Sequence, residues 1–192
     1  MTIAIDIDEV LSELLSKVLE HYNSLYNTNL TQDKCLSYRW QEHFGIDLRR
    51  TLDIYQDFIN SGKLKELAVV PGAVEGIKKI RDKHKLVIVT SRGACLKNDT
   101  EYWLDKHFPN YFNDIHYLRE GLYDSMKKSK FQTCQEINSD FFIEDDVDHL
   151  NEFRDNKTKV LVYDHPWNQS FETTDNFSRV HSWAQIVNII NS

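Results

Sequence analysis

The sequence predicts an α/β protein: a Rossmann-like parallel sheet with helices on both faces and a small helical segment inserted after the first strand. Three observations carry that reading. Five short apolar runs recur along the chain, at 3–5, 86–89, 115–118, 141–143 and 160–163. Segments of helical periodicity separate them, and strands alternating with helices build a parallel sheet covered on both sides. Polar clusters that could carry chemistry stand after four of the runs, those at 3–5, 86–89, 141–143 and 160–163, and a parallel sheet gathers all such ends along one edge.

The first strand is expected at 2–6, where Ile3-Ala4-Ile5 is apolar and free of turn residues. A helix is expected from about Val10 to Tyr26, because Val10, Leu11, Leu14, Leu15, Val18, Leu19, Tyr22, Leu25 and Tyr26 form one stripe. Residues 27–33 are polar and turn-like, and 34–46 are aromatic-rich with Gly45 closing the segment. A second helix should span Leu48 to Ile59 and stop near Ser61-Gly62. Pro71-Gly72 opens a helix through Val74, Ile77 and Ile80 that ends in basic residues, as the helix dipole prefers.

Further helices are expected at 98–107, with Trp103 and Leu104 facing inward, at 127–137 and at 183–190. A short helix should follow Glu144-Asp145-Asp146. No strand pattern occurs in the insertion, so the core is expected at 1–13 and 69–192 and the helical insertion at 14–68.

Hydrophobic residues make up 41% and charged residues 28%, the balance of an ordinary soluble domain. A net charge of −7 argues against a nucleic-acid polymer as partner, since phosphate backbones demand clustered Lys and Arg. It leaves room for a small phosphorylated ligand, which needs only one or two local cations. No apolar stretch approaches the ~18–20 residues of a membrane span, and the N-terminus carries no basic-then-apolar signal pattern. The expectation is a cytoplasmic protein, monomeric or homodimeric, without a membrane partner. Cys35, Cys95 and Cys134 are too scattered for a metal motif and are expected to be free thiols.

The chemistry lies at the strand ends. Asp6 and Asp8, Thr90 and Ser91, and Glu144, Asp145 and Asp146 should surround one crevice. Clustered carboxylates attract a hard divalent cation, with Mg2+ the best match to oxygen ligands. A hydroxyl pair with free backbone amides can hold phosphate oxygens. One aspartate could attack phosphorus, and a second, two residues on, could carry a proton.

The motifs Asp6-Ile-Asp8-Glu-Val10, Thr90-Ser91, Lys130 and Glu144-Asp145 resemble those of the haloacid dehalogenase (HAD) phosphatase superfamily. Val70-Pro71-Gly72-Ala73-Val74, Ile88 to Arg92, Trp103 to Pro109, Lys130-x-x-x-Cys134 and Asp164 to Asn168 are similar to its 5′(3′)-deoxyribonucleotidase-like branch, the type C 5′-nucleotidases. The resemblance implies the HAD fold, with residues 14–68 as its cap, and a Mg2+-dependent phosphatase of (deoxy)nucleoside monophosphates. It implies Asp6 as nucleophile and Asp8 as general acid and base. Mg2+ would be held by Asp6, Asp145 and the main-chain carbonyl of Asp8, with Glu144 in support. Thr90, Ser91 and Lys130 would bind the phosphate. A phosphatase of another small metabolite, such as a sugar phosphate, and a catalytically silent phosphate-binding protein are the alternatives.

Lys127 and Lys128 compete with Lys130 for the lysine position; Cys134 and the distance to Asp145 favour Lys130. Arg92 is a candidate substrate contact, weighed against a surface salt bridge. Tyr38, Trp40 and Phe44 are candidates to stack on a base, weighed against packing within the cap. Glu9 is expected to face solvent, and Asp146 and Asp148 to be helix N-terminal acids.

Overall fold

The computed structural model describes residues 1–37 and 39–192. In chain order the elements are β1 (Thr2–Ile5), α1 (Leu14–Tyr26), α2 (Trp40–Phe44), α3 (Leu48–Asn60), α4 (Ala73–Ile80), β2 (Lys85–Gly93) and α5 (Lys97–His107). There follow β3 (Asp114–Arg119), α6 (Lys130–Glu136), β4 (Phe141–Glu144), β5 (Lys159–Tyr163), β6 (Phe177–Val180) and α7 (Trp183–Ile190). Short 3-10 turns fill several connections.

The six strands form one sheet in the order β3-β2-β1-β4-β5-β6. Every pairing is parallel. Alternation along the strands divides the interior. Ile3, Ile5, Ile88 and Ile143 pack on one face with Ile77, Trp103 and Trp183 from α4, α5 and α7. Ala4, Val87, Val89, Phe142 and Val160 pack on the other with Cys134 of α6, Leu150 and Phe153. The strand order reverses at β1, so a crevice opens beyond its carboxyl end. Among the described residues no helix is long and apolar enough to cross a membrane.

Four expectations are corrected. The first helix starts at Leu14 rather than Val10. Glu9 adopts a left-handed backbone (φ 60°), and the amides of Leu11 and Ser12 turn back onto the Ile7 carbonyl at 2.8 and 2.9 Å. Val10 and Leu11 fit the apolar stripe, but the backbone here belongs to a hinge ribbon: Ser12 pairs antiparallel with Val69 where the chain leaves and re-enters the core. Trp183 Nε1 donates to the Val10 carbonyl (2.9 Å) and Trp103 Nε1 to that of Leu67 (2.8 Å), clamping both crossings from the core side.

The helix expected from Lys127 starts at Lys130. Ser129 caps it, its hydroxyl accepting from the Gln132 amide while the Gln132 side chain accepts from the Ser129 amide. Lys127 and Lys128 precede the cap and pair with Glu120 and Glu136. A sixth strand, β6, lies beyond the five expected. The short helix expected after Asp146 is instead two 3-10 turns, Val147–His149 and Asn151–Phe153.

Candidate active site

A cleft of about 240 Å³ opens at the carboxyl edge of the sheet, under the helices inserted between β1 and β2. Asp6 follows β1 directly, and its amide bonds the Ile143 carbonyl at 3.0 Å, which fixes its side chain against β4. Lys130, the first residue of α6, reaches in from below. Its Nζ lies 3.1 Å from Asp6 Oδ2 and 2.6 Å from Glu144 Oε2, and all three side chains are buried. Glu144 ends β4, and its other oxygen accepts from the amides of Asp145 and Asp146. Asp145 is buried, with Oδ2 accepting from Trp167 Nε1 at 3.0 Å and its carbonyl accepting from Asn168.

This cluster holds three buried acids against one lysine. Burial drives the Asp6 carboxyl up to about 7 in spite of the pull of Lys130, with Glu144 and Asp8 adding to the rise. Burial, then Glu144 and Asp6, holds Asp145 well above the usual carboxylate range. Burial also opposes the charge of Lys130, but Asp6 and Glu144 outweigh it and raise the ammonium pKa. Among the described residues, Asp6 Oδ1 has no hydrogen-bond partner, and it is buried. Ligand atoms of Asp6, Glu144 and Asp145 lie within 4.8 Å of one another. Both Glu144 oxygens are already committed to Lys130 and to the backbone. An orphaned oxygen on Asp6, in a cluster of carboxylates that includes Asp145, is a hard-oxygen setting with surplus negative charge and fits a divalent cation.

Across the cleft floor stands a second pair. Arg92 Nε and Nη2 donate to Asp8 Oδ2 (3.0 Å) and Oδ1 (2.6 Å). Ser12 donates to the same carboxylate at 3.0 Å, and Arg92 Nη1 donates to Thr100 at 3.2 Å. The Arg92 side chain is 1% exposed, so this is a buried ion pair and not the surface salt bridge weighed from sequence. Its charge is held firmly: burial opposes it, but Asp8 overcomes the cost and raises the guanidinium pKa. Thr90 and Ser91 lie near the end of β2, where the register with β3 slips between Thr90 and Gly93. Thr90 accepts from the Arg92 amide at 3.2 Å, and both residues line the cleft.

The insertion supplies the roof. Trp40 and Tyr55 line the cleft, their rings 5.3 Å apart and near perpendicular. Phe44 does not join them: it is buried against Tyr22, ring on ring at 4.1 Å, and belongs to the packing of the insertion. Tyr38 lies outside the described residues. Glu9 does not face solvent. It is 1% exposed and accepts from the Leu15 amide (2.6 Å) and Gln32 (3.1 Å), so it stitches the start of α1 to the hinge. Asp146 caps the following 3-10 turn through the Asp148 amide and also lines the cleft beside His149. His165 Nε2 donates to the Glu9 carbonyl at 2.8 Å, since a carbonyl only accepts, and its ring stacks on Trp167.

Sequence reasoning missed Tyr55, Arg119 and His149, all of which line the cleft. Tyr55 is hidden in the ordinary apolar face of a helix. Arg119 carried a usable signal: it directly follows the run Ile115–Leu118, as the other polar groups follow theirs.

The family model described as 5′ nucleotidase, deoxy (Pyrimidine), cytosolic type C protein matches residues 1–192. A 5′(3′)-deoxyribonucleotidase of Bacillus subtilis is 26% identical over 193 residues, covering 96% of this chain and 95% of its own. A nucleotidase of Clostridium acetobutylicum is 24% identical over 198 residues, covering 100% and 94%. Among solved structures, a predicted phosphatase from Clostridium acetobutylicum superposes with a TM-score of 0.70 at 15% identity, covering 99% and 97%. A haloacid dehalogenase-like hydrolase from Streptococcus pneumoniae gives 0.69 at 10% identity, covering 98% and 97%. YfnB of Bacillus subtilis, solved bound to magnesium, gives 0.63 at 13% identity, covering 100% and 98%. At these identities the structural likeness establishes the fold.

Proposed function

The chain belongs to the cytosolic type C 5′-nucleotidase family of phosphomonoester hydrolases, and from that premise we propose that it hydrolyses (deoxy)nucleoside monophosphates through an aspartyl-phosphate on Asp6. The observation that carries the reading is the Asp6 carboxylate: one oxygen faces Lys130 at 3.1 Å, and the other is buried and, among the described residues, unpartnered, in a carboxylate cluster with Glu144 and Asp145. A carboxylate kept in that state costs stability and suits a nucleophile.

In this reading residues 14–68 are the cap, and the phosphate sits between Asp6, Thr90, Ser91 and Lys130. An Asp6 oxygen attacks phosphorus, and the bond from phosphorus to the sugar oxygen breaks. Asp8 gives its proton to that leaving oxygen, then takes one from the water that cleaves the acyl-phosphate and restores Asp6. To reach the leaving oxygen, the Asp8 carboxyl turns out of its pair with Arg92 and Ser12. Lys130 offsets charge gathering on the phosphoryl oxygens, and Glu144 holds Lys130 in place. Asp6, Asp145 and the Asp8 carbonyl would hold Mg2+, which when bound screens the approach of one anion to another. Trp40 and Tyr55 in the roof offer ring faces suited to a base, which favours a nucleotide over a sugar phosphate.

A panel of nucleoside monophosphates and sugar phosphates, assayed with Mg2+ and with excess chelator, tests this. Nucleotides should be turned over best, and only with metal. A preference for sugar phosphates, or full turnover in chelator, contradicts it.

A further inference from the structure

Of the three buried acids, Asp6 and Glu144 share Lys130, and Asp145 stands apart. Among the described residues Asp145 forms no ion pair. Its carboxylate is met instead by a neutral donor, Trp167 Nε1, at 3.0 Å from Oδ2. A neutral N–H eases the cost of burying a carboxylate without cancelling its charge.

The indole is itself held in place. It belongs to a 3-10 turn, Pro166–Asn168, that follows β5 and has proline at its start. Asn168 is buried, and its side-chain amide donates to the carbonyls of Asp145 (3.0 Å) and Tyr163 (2.7 Å). Its Oδ1 accepts from the His165 amide at 3.1 Å. Arg179, on the edge strand β6, donates to that Oδ1 (2.7 Å) and to the Asn168 carbonyl (2.9 Å), and Asp164 meets its charge at 2.8 Å. The His165 ring stacks on the indole at 4.4 Å, while its Nε2 donates to the Glu9 carbonyl. Glu9 follows Asp8, so one turn grips both chain segments that carry the groups read as cation ligands. A donor fixed at this many points fixes in turn the carboxylate it binds.

Resting on the reading of Asp145 as a cation ligand, we infer that Trp167 is a positioning residue of the metal site: its indole N–H holds Asp145 Oδ2, which sets the carboxylate for the cation and leaves its negative charge uncancelled. A lysine or arginine in that place would pair with Asp145 and compete with the cation. Trp167 does not line the cleft and acts only through Asp145.

Trp167→Phe keeps a ring for His165 to stack on and removes the N–H. The readout is the melting temperature against Mg2+ concentration, without substrate, because a cation that binds the folded state raises it by mass action. In the wild type it should rise with Mg2+. In Trp167→Phe the same rise should need about 10–100-fold more Mg2+, the usual loss when the group behind a metal ligand is removed. An unchanged Mg2+ dependence overturns the inference, whatever the variant's melting temperature in excess chelator, and assigns Trp167 to packing. No Mg2+ dependence in the wild type overturns the cation reading itself, and the inference with it. If Trp167→Phe does not fold, the indole N–H signals in NMR spectra of the wild type decide. Trp103 and Trp183 donate to the carbonyls of Leu67 and Val10, so their signals should hold still. With the Trp40 signal identified by Trp40→Phe, that of Trp167 should move as Mg2+ is added. A Trp167 signal that stays in place overturns the inference.

Discussion

Asp8 and Arg92, 84 residues apart, meet in a two-pronged ion pair at 2.6 and 3.0 Å. The pair joins the end of β1 to the end of β2, and through Ser12 it touches the bridge to Val69 where the helical insertion begins and ends. The group read as the general acid is thus tied to the segment that positions the roof.

Arg92→Met should destabilise the protein by about 3 kcal/mol, because it takes from Asp8, Ser12 and Thr100 the donor that each accepts from in a buried setting. Urea denaturation measures this. A loss under about 0.5 kcal/mol would mean that water replaces the guanidinium at no cost.

Asp8→Asn should lower turnover of alkyl phosphates by about 10²–10⁴-fold, the ordinary contribution of a general acid and base. An aryl phosphate leaves without needing a proton, so its loss should be smaller. Equal losses for both substrates would remove the acid role from Asp8.

Glu9 gives a pH prediction. Burial, with Asp8 and Glu13 adding to it, raises the Glu9 carboxyl to about 8 against the backbone donors of α1. A folded-state pKa above the unfolded one means that the folded protein holds the extra proton. Its contribution is full below the unfolded value of 4.5 and is lost as pH rises through about 8. Glu9→Gln mimics the protonated form. It should be near neutral at pH 4.5 and stabilising by about 1–2 kcal/mol at pH 8. A variant equally destabilised at both pH values would show that Glu9 acts through its charge on the α1 amides.

The core strands were legible because strands buried on both faces read as unbroken apolar runs, as Leu86–Val89 and Phe141–Ile143 do. The edge strand β6 was not. Its sequence Phe177-Ser-Arg-Val180 buries only its ends, a spacing of three that suits a helix face and not the alternation of a strand. The strand-end clusters located Asp6, Asp8, Thr90 and Asp145 at one cleft. Periodicity could not tell that Val10 and Leu11 spend their backbone on a ribbon, nor that Glu9 turns inward, because both depend on pairing with residues near 68–70 and on Gln32. Phe44 and Trp40 share a helix of five residues and look alike in sequence; only their distant partners, Tyr22 for Phe44 and Tyr55 for Trp40, separate packing from roof.

Trp40→Ala should reduce the specificity constant for a nucleotide by ~1–3 kcal/mol, the range for a base stacked on an aromatic ring. It should change that for a small aryl phosphate much less. A loss common to both, with a fall in melting temperature, would assign Trp40 to packing against Tyr55.

The most direct test is the turnover of Asp6→Asn on a nucleoside monophosphate with Mg2+. Asparagine keeps the shape of the side chain but cannot form the acyl-phosphate, so kcat should fall at least ~10³-fold while the melting temperature holds or rises, relieved of a buried charge. Turnover close to that of the wild type would contradict Asp6 as the nucleophile.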